Sequence, residues 1–270
     1  MNENPLSCKD FSAIITGGAG LLGREHAVAL AEIGYKVFLF DIDYERLKIA
    51  KERIEQDVPT AQIQIVKCDV SSEDEIRMAV ATVRNDTHQL KCLVNNASIN
   101  PVVATDEFSH SIENFDSNLW NLELSVGLTG AILMCKHFGP LIVDGGGGYI
   151  LNISSDLSVI SPDQRIYKVE GLSKFVKPVS YSIIKSGLIG LTRYLATYWA
   201  EHNIRVNALS PGGVENGQPQ TFISNLENLI PMSRMARKNE YRGAVQFLCT
   251  EQSSYMTGQN LVIDGGRSVW

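Results

Sequence analysis

Tyr181 and Lys185 stand four residues apart in a stretch with helical spacing, so both side chains project from one face and reach a common point. A phenol titrates near ~10 and is a poor base at neutral pH, whereas a nearby ammonium favours the phenolate, each unit of downward shift being worth about 1.4 kcal/mol. The pair is expected to give and take protons, with Lys185 tuning Tyr181. Ser155 lies 26 residues upstream at the end of a β-branched run. Its hydroxyl can hold a substrate oxygen while Tyr181 exchanges the proton. The same tyrosine–lysine spacing also occurs as a packed ring beside a solvated ammonium, so the pair takes its meaning from its surroundings. The five histidines and five cysteines show no ligand spacing, and no metal is expected.

Those surroundings begin at Thr16 to Gly23, TGGAGLLG, directly after one apolar run and directly before a helical stretch. Glycines there, at Gly17, Gly20 and Gly23, allow a tight turn whose backbone N–H groups, with that of Leu22, face a pyrophosphate at the positive end of the helix. A glycine cluster can also be only a turn. Asp41 ends the second apolar run, 18 residues past Gly23, close to the ~20 expected for an acid that binds adenosine ribose hydroxyls, with Ile42 beside it. A carboxylate there repels a 2'-phosphate, so NAD is expected over NADP. The other reading of Asp41 is a helix N-cap, a role for which Asp43 competes.

Seven runs rich in β-branched residues recur: Ser12 to Thr16, Lys36 to Phe40, Ile63 to Val66, Cys92 to Asn95, Tyr149 to Ser154, Arg205 to Leu209 and Leu261 to Ile263. Helical spacing separates them, as in Leu22 to Ile33, Glu45 to Gln56 and Glu73 to Arg84. The alternation implies an α/β fold: a doubly wound, Rossmann-like parallel sheet with helices on both faces. At 270 residues, 44% of them apolar, the chain fits one domain over residues 1–270. The balance of 24 basic against 30 acidic residues, net -6, argues against nucleic acid. No uninterrupted apolar window reaches ~18 residues, the beginning has no leader pattern, and no membrane partner is expected. The odd, unspaced cysteines suit a reducing cytoplasm.

Taken together, these residues resemble the short-chain dehydrogenase/reductase family over nearly the whole chain. Beyond the turn and Asp41 the likeness is carried by Asp69-Val70, Asn95-Asn96-Ala97-Ser98, Asn152-Ile153-Ser154-Ser155, Tyr181-Ser-Ile-Ile-Lys185, Pro211-Gly212 and Thr257-Gly258-Gln259 leading to Asp264-Gly265-Gly266. The resemblance implies an NAD-dependent oxidoreductase that transfers hydride between nicotinamide and a secondary alcohol or ketone. Within it Asp69 and Val70 would hold the adenine and Asn96 and Ala97 back the ribose. Lys185 would also bind the nicotinamide ribose, and Val214 would present its backbone to the carboxamide. Asn95 either touches ligand or ties strands together. A homodimer or homotetramer is implied through helices from Phe115 to Cys135 and Tyr181 to Glu201, whose apolar residues include Trp120, Leu128, Leu191, Tyr194, Leu195, Tyr198 and Trp199.

The chain departs from the family in three places. Leu21 stands where compact members carry a glycine, which gives the extended branch's TGxxGxxG turn. Gly127 stands where the proton-relay asparagine is usual, leaving water, Ser125 or Thr129 to carry a relay. A charged loop, Pro162 to Pro178, lengthens the interval between Ser155 and Tyr181. Its Arg165, Lys168, Lys174 and Lys177 are candidates to clamp a phosphate or carboxylate, or else belong to a solvated loop or a subunit contact. A substrate lid is expected around 215–235, where Glu215, Asn216 and Gln218 suit a hydroxyl-rich ligand.

The loop, the TGGAGLLGRE start and the SSYMTGQNLVIDGGRSVW ending are similar to a bacterial subgroup associated with flagellin modification and surface sugars. A sugar or sugar phosphate is the expected small-molecule substrate. Two other classes stay open: an inactive dinucleotide sensor or scaffold, motivated by Gly127, and a lyase or epimerase using NAD transiently, motivated by the glycine turn.

Overall fold

A computed structural model describes residues 8–99, 111–114, 116–169, 172–173 and 176–270. Its strands, in chain order, are β1 Phe11–Thr16, β2 Lys36–Asp41, β3 Gln62–Lys67, β4 Gln89–Asn95, β5 Gly148–Ile153, β6 Lys168–Val169, β7 Leu172–Ser173, β8 Ile204–Pro211 and β9 Asn260–Ile263. The helices are α1 Leu21–Glu32, α2 Tyr44–Asp57, α3 Glu73–Arg84, α4 Ser117–Leu124, α5 Gly130–Asp144, α6 Val179–Tyr198, α7 Gln220–Glu227 and α8 Arg242–Leu248.

Seven strands form one parallel sheet in the order β3-β2-β1-β4-β5-β8-β9, which is the doubly wound architecture expected. Strands buried on both faces read as continuous apolar runs rather than alternating ones, and β1 and β5 do so. One face is covered by α1, α2 and α8, through Leu30, Leu47, Ile54 and Val245. The other is covered by α3, α5 and α6, through Ile76, Phe138, Ile142 and Trp199. The strand order switches sides between β1 and β4, β2 and β3 lying to one side and β5 to the other, so the crevice for a ligand opens over the carboxyl ends of those strands.

A π-helical segment, Ser125–Thr129, joins α4 to α5 into one helix, Ser117–Asp144, long and apolar enough by composition to cross a membrane. Its Met134, Cys135, Phe138 and Ile142 lie in the core beneath the sheet. Phe115, the expected start of this helix, lies outside the described residues. Leu195 and Trp199, expected among partner-facing residues, also belong to the core, while Tyr194 and Tyr198 stack in the open at 5.9 Å. The stretch read as a charged loop is partly ordered: a 3-10 turn, Gln164–Tyr167, precedes the antiparallel pair β6–β7.

Candidate active site

One cleft of about 1150 Å³ runs along the carboxyl ends of the strands, from the glycine turn to α7. Gly17 takes φ +62°, a left-handed conformation that favours glycine, and its carbonyl accepts from Gly20 N–H at 3.0 Å. Gly20 is the N-cap of α1 and has no side-chain cap, which leaves first-turn N–H groups turned toward an anion. Gly23 does not line the cleft; it packs directly beneath the Gly17 carbonyl, where any Cβ would collide. Its role is to let helix and turn approach, a correction to its assignment as a ligand-touching residue. Leu21 lines the cleft where compact relatives are glycine.

Asp41 stands at the mouth of the cleft, its two oxygens accepting from Ala19 N–H at 3.1 Å and Asp43 N–H at 3.2 Å. Asp43 caps α2 by accepting from Arg46 N–H at 3.0 Å, so the N-cap role falls to Asp43. Asp69 accepts from Ser71 N–H and Oγ–H at 2.8 and 2.7 Å, shaping the turn after β3, and it lines the cleft with Ile42 and Val70. Asn96 Nδ2 donates to the carbonyls of Thr16 and Gly17 at 2.9 and 3.1 Å, pinning the glycine turn to β4. Leu22, Ala97, Pro211, Gly212 and Val214 complete this half of the wall. Asn95 does not: its amide donates to Asn152 Oδ1 at 2.9 Å, and Asn152 donates to Thr192 Oγ1 at 2.8 Å. This buried ladder ties β4, β5 and α6 together, so the strand-tying reading of Asn95 holds and the ligand reading is withdrawn.

Ser155, Tyr181 and Lys185 meet in the other half of the cleft. Lys185 Nζ lies 5.6 Å from the Tyr181 ring centroid and donates to the Ile153 carbonyl at 2.9 Å. Lys177 Nζ lies 3.7 Å from the same centroid. Burial pushes Tyr181 up to about 12, against the opposing hydrogen bond with Ser155. Burial, and then the charge of Lys177, lowers Lys185 to about 8. In the chain by itself desolvation outweighs the ammonium, so a neutral phenol stands beside Lys185 at neutral pH; the positive nicotinamide that the sequence reading counted alongside Lys185 would act on top of this.

The relay position is closed. A Cβ on Gly127 would stand 2.8 Å from Ile184 Cγ2, so an isoleucine methyl fills the space an asparagine would need. Ser125 Oγ donates to Leu122 O at 2.7 Å within its own helix, Thr129 is exposed, and neither lines the cleft. Of the four candidate cations of the 162–178 segment, Arg165 is exposed and paired with Asp163 at 2.6 Å. Lys174 and the Lys168 side chain lie outside the described residues. Lys177 lines the cleft, its backbone held on both sides by Gln164, whose Oε1 accepts at 3.0 Å and Nε2 donates at 3.3 Å.

The lid differs from expectation. Asn216 and Gln218 line the cleft but Glu215 does not, and Gln218 braces its own loop by donating to Val214 O at 2.8 Å. The lid face is apolar, with Phe222 and Leu226 on α7 and the Tyr167 ring tilted against Phe222 at 5.4 Å between centroids. Two site residues escaped the sequence reading, Asp156 and Arg267, paired at 2.7 Å beside Ser155. Their signal was a charged side chain just past the end of a fully buried strand and an arginine following paired glycines.

A family model described as "Enoyl-(Acyl carrier protein) reductase" matches residues 18–268. The NAD-dependent glycerol dehydrogenase of Listeria innocua is 27% identical, with 97% of each chain covered. The D-arabinitol 2-dehydrogenase [ribulose-forming] of Candida albicans is 30% identical over 95% of this chain and 92% of that one. The solved structure of an NAD+-bound xylitol dehydrogenase superposes with a TM-score of 0.83 at 27% identity, covering 96% of this chain and 99% of that one. With the cleft built as above, the chain belongs to the short-chain dehydrogenase/reductase family and is an NAD(P)-dependent oxidoreductase.

Proposed function

We propose that the protein uses NAD to oxidise or reduce a secondary carbon of a sugar or sugar phosphate, in bacterial surface-glycan or flagellin modification. The observation that carries this reading is the convergence of Ser155, Tyr181 and Lys185 on one wall of a cleft whose other wall is the glycine turn and Asp41. The cradle fits a dinucleotide: Gly17 and Gly23 leave no room for side chains, the start of α1 offers N–H groups, and Asp41 stands where ribose hydroxyls would be held. Bound there, the nicotinamide supplies the hydride acceptor or donor. Pro211, Gly212 and Val214 back that end, Asp69, Val70, Asn96 and Ala97 back the adenosine end, and Lys185 holds the nicotinamide ribose.

Ser155 orients the substrate oxygen. Tyr181 donates its proton to a carbonyl oxygen in reduction and, as phenolate, takes the hydroxyl proton in oxidation. Lys177, in the substrate half, suits an oxygen-rich or anionic substrate, as do relatives named for glycerol, D-arabinitol and xylitol. The single domain covers residues 1–270, with the 162–178 insertion and the segment around 215–235 forming the substrate wall. It pairs as a homodimer or homotetramer through the faces that carry Tyr194 and Tyr198, and works in the cytoplasm.

The test is turnover of glycerol, xylitol, D-arabinitol, D-gluconate and sugar phosphates with NAD and with NADP, with Tyr181→Phe as control. NAD-linked turnover that falls at least about a hundredfold in the variant is expected. Turnover of aliphatic alcohols or steroids but none of this panel would sink the proposal, as would a preference for NADP.

A further inference from the structure

Ser155 has one proton to donate, and its Oγ lies 2.9 Å from Asp156 Oδ1, an atom of a carboxylate that can only accept. That proton points at Asp156. Leu157 N–H donates back to the same Oγ at 3.2 Å, and Tyr181 is hydrogen-bonded to this hydroxyl as well. Behind Asp156, Arg267 Nη1 reaches from the turn after β9 and donates to Oδ2 at 2.7 Å, in a pair 4% and 7% exposed. A buried carboxylate persists only with such a partner. Both members of the pair line the substrate half of the cleft.

We infer that Asp156, held by Arg267, is a positioning residue for the catalytic serine: it accepts the Ser155 hydrogen bond and turns the serine's lone pairs toward Tyr181 and the substrate oxygen. The inference rests on the roles given to Ser155 and Tyr181 above. Two effects act in one direction. A serine whose proton is shared with a carboxylate is a weaker donor to a phenolate, which blunts the lowering that its hydrogen bond gives Tyr181, and the carboxylate's own charge disfavours that phenolate. The charge of Asp156 is among the causes that raise Tyr181.

Other groups facing this phenol come from every neighbouring element. Tyr167 and Lys177 approach from the inserted segment and Lys185 from the same helix, while Arg267, from the turn after β9, bears on Tyr167 and Asp156, and Glu123 on α4 bears on Lys177. The two lysines oppose Asp156, and both remain in the variants below. The unassisted site is therefore a proton donor, matched to carbonyl reduction, and oxidation requires alkaline conditions or the positive charge of an oxidised nicotinamide.

The test is the pH profile of oxidation, read as kcat/KM with NAD and the fastest substrate of the panel above. In Asp156→Asn the amide oxygen faces Arg267 and the amide nitrogen donates to Ser155, which frees the serine's proton for Tyr181. The alkaline-requiring limb is expected to move down by about one pH unit. Arg267→Gln leaves Asp156 uncompensated and is expected to move the limb up by about as much, with Arg267→Lys restoring it. A purely structural ion pair would lower activity in both variants and leave the limb in place.

If either single variant does not fold, the double variant Asp156→Asn with Arg267→Gln keeps a neutral hydrogen-bonded pair and is expected to move the limb down. Limbs that stay put, or shift the same way in both single variants, overturn the inference while an inactive Tyr181→Phe leaves the proposed function standing. Oxidation surviving in Tyr181→Phe removes both.

Discussion

Replacing Gly127 with asparagine would restore the family's side chain at the relay position, and the structure gives the cost. The new Cβ alone would lie 2.8 Å from Ile184 Cγ2, closer than real Cβ contacts approach, with Ile184 Cδ1 at 3.5 Å and Ser98 Oγ at 3.7 Å. Ile184 is 3% exposed and precedes Lys185 on α6, so it has no solvent to retreat into. Overpacking of this kind costs about 1–3 kcal/mol, while exchanging glycine for asparagine within a helix recovers only a few tenths. For a chain of this size each kcal/mol lowers the melting temperature by roughly 2–4 °C, so Gly127→Asn is expected to melt about 2–12 °C below the parent. Ile184→Ala removes buried methyls and by itself costs about 2–5 kcal/mol. Combined with Gly127→Asn, it opens the space that the asparagine needs. The double variant should therefore be less destabilised than the two single losses together by at least about 1 kcal/mol. Urea and thermal unfolding of all four proteins completes the cycle. A Gly127→Asn protein as stable as the parent, or strict additivity in the double variant, would refute the steric account of why glycine stands there.

Lys185, proposed above to hold the nicotinamide ribose, is a buried cation that the fold tolerates at a cost. Burial and Lys177 hold its folded-state value near about 8, against an ordinary 10.5, so below about 8 the folded chain carries a disfavoured cation while the unfolded chain does not. The unfolded state then binds more protons between the two values, and stability rises with pH across that window. Lys185→Met, which also strands the Ile153 carbonyl, is expected to be inactive yet more stable at pH 7 by on the order of 1–3 kcal/mol. The gain should vanish above about pH 10.5, and urea midpoints at both pH values would show it; a gain independent of pH would contradict the burial argument. Asn95→Ala breaks the amide ladder and should cost about 1–3 kcal/mol of stability. The KM for NAD should stay within about twofold, and a large rise in that KM would return Asn95 to the cofactor site.

The sheet was legible because each of its strands is a short β-branched run bounded by turn residues, and burial on both faces leaves little else those runs can be. Boundaries moved by up to three residues, as at β4, which begins at Gln89 rather than Cys92. Residues that act through the backbone turn or through a fixed helical spacing, such as Gly17, Asp41, Tyr181 and Lys185, were readable because local geometry dictates their placement. Asn95 stayed open between two roles, and Gly23 was grouped with the ligand-facing glycines, because packing and cofactor contact demand the same residue types at adjacent positions. Asp156 and Arg267 were missed because their partnership spans 111 residues of chain and exists only once β5 and β9 are assembled. The burial of Tyr181 was not legible for a related reason: spacing shows the ammonium but not the depth of burial that opposes it in the chain by itself.

The Asn95–Asn152–Thr192 ladder divides the molecule into a part that is hard to alter and a part that is easy. Because it bolts the strand ends beneath the glycine turn to the very helix bearing Tyr181 and Lys185, hydride and proton chemistry share one rigid chassis. The 3-10 turn Gln164–Tyr167 and α7 hang outside that bracing and pack on each other, as in the tilted contact of Tyr167 with Phe222. Drift or engineering can therefore reshape what enters the cleft without disturbing the reaction performed there. That is a physical basis on which one scaffold can serve glycerol, arabinitol and xylitol dehydrogenases alike.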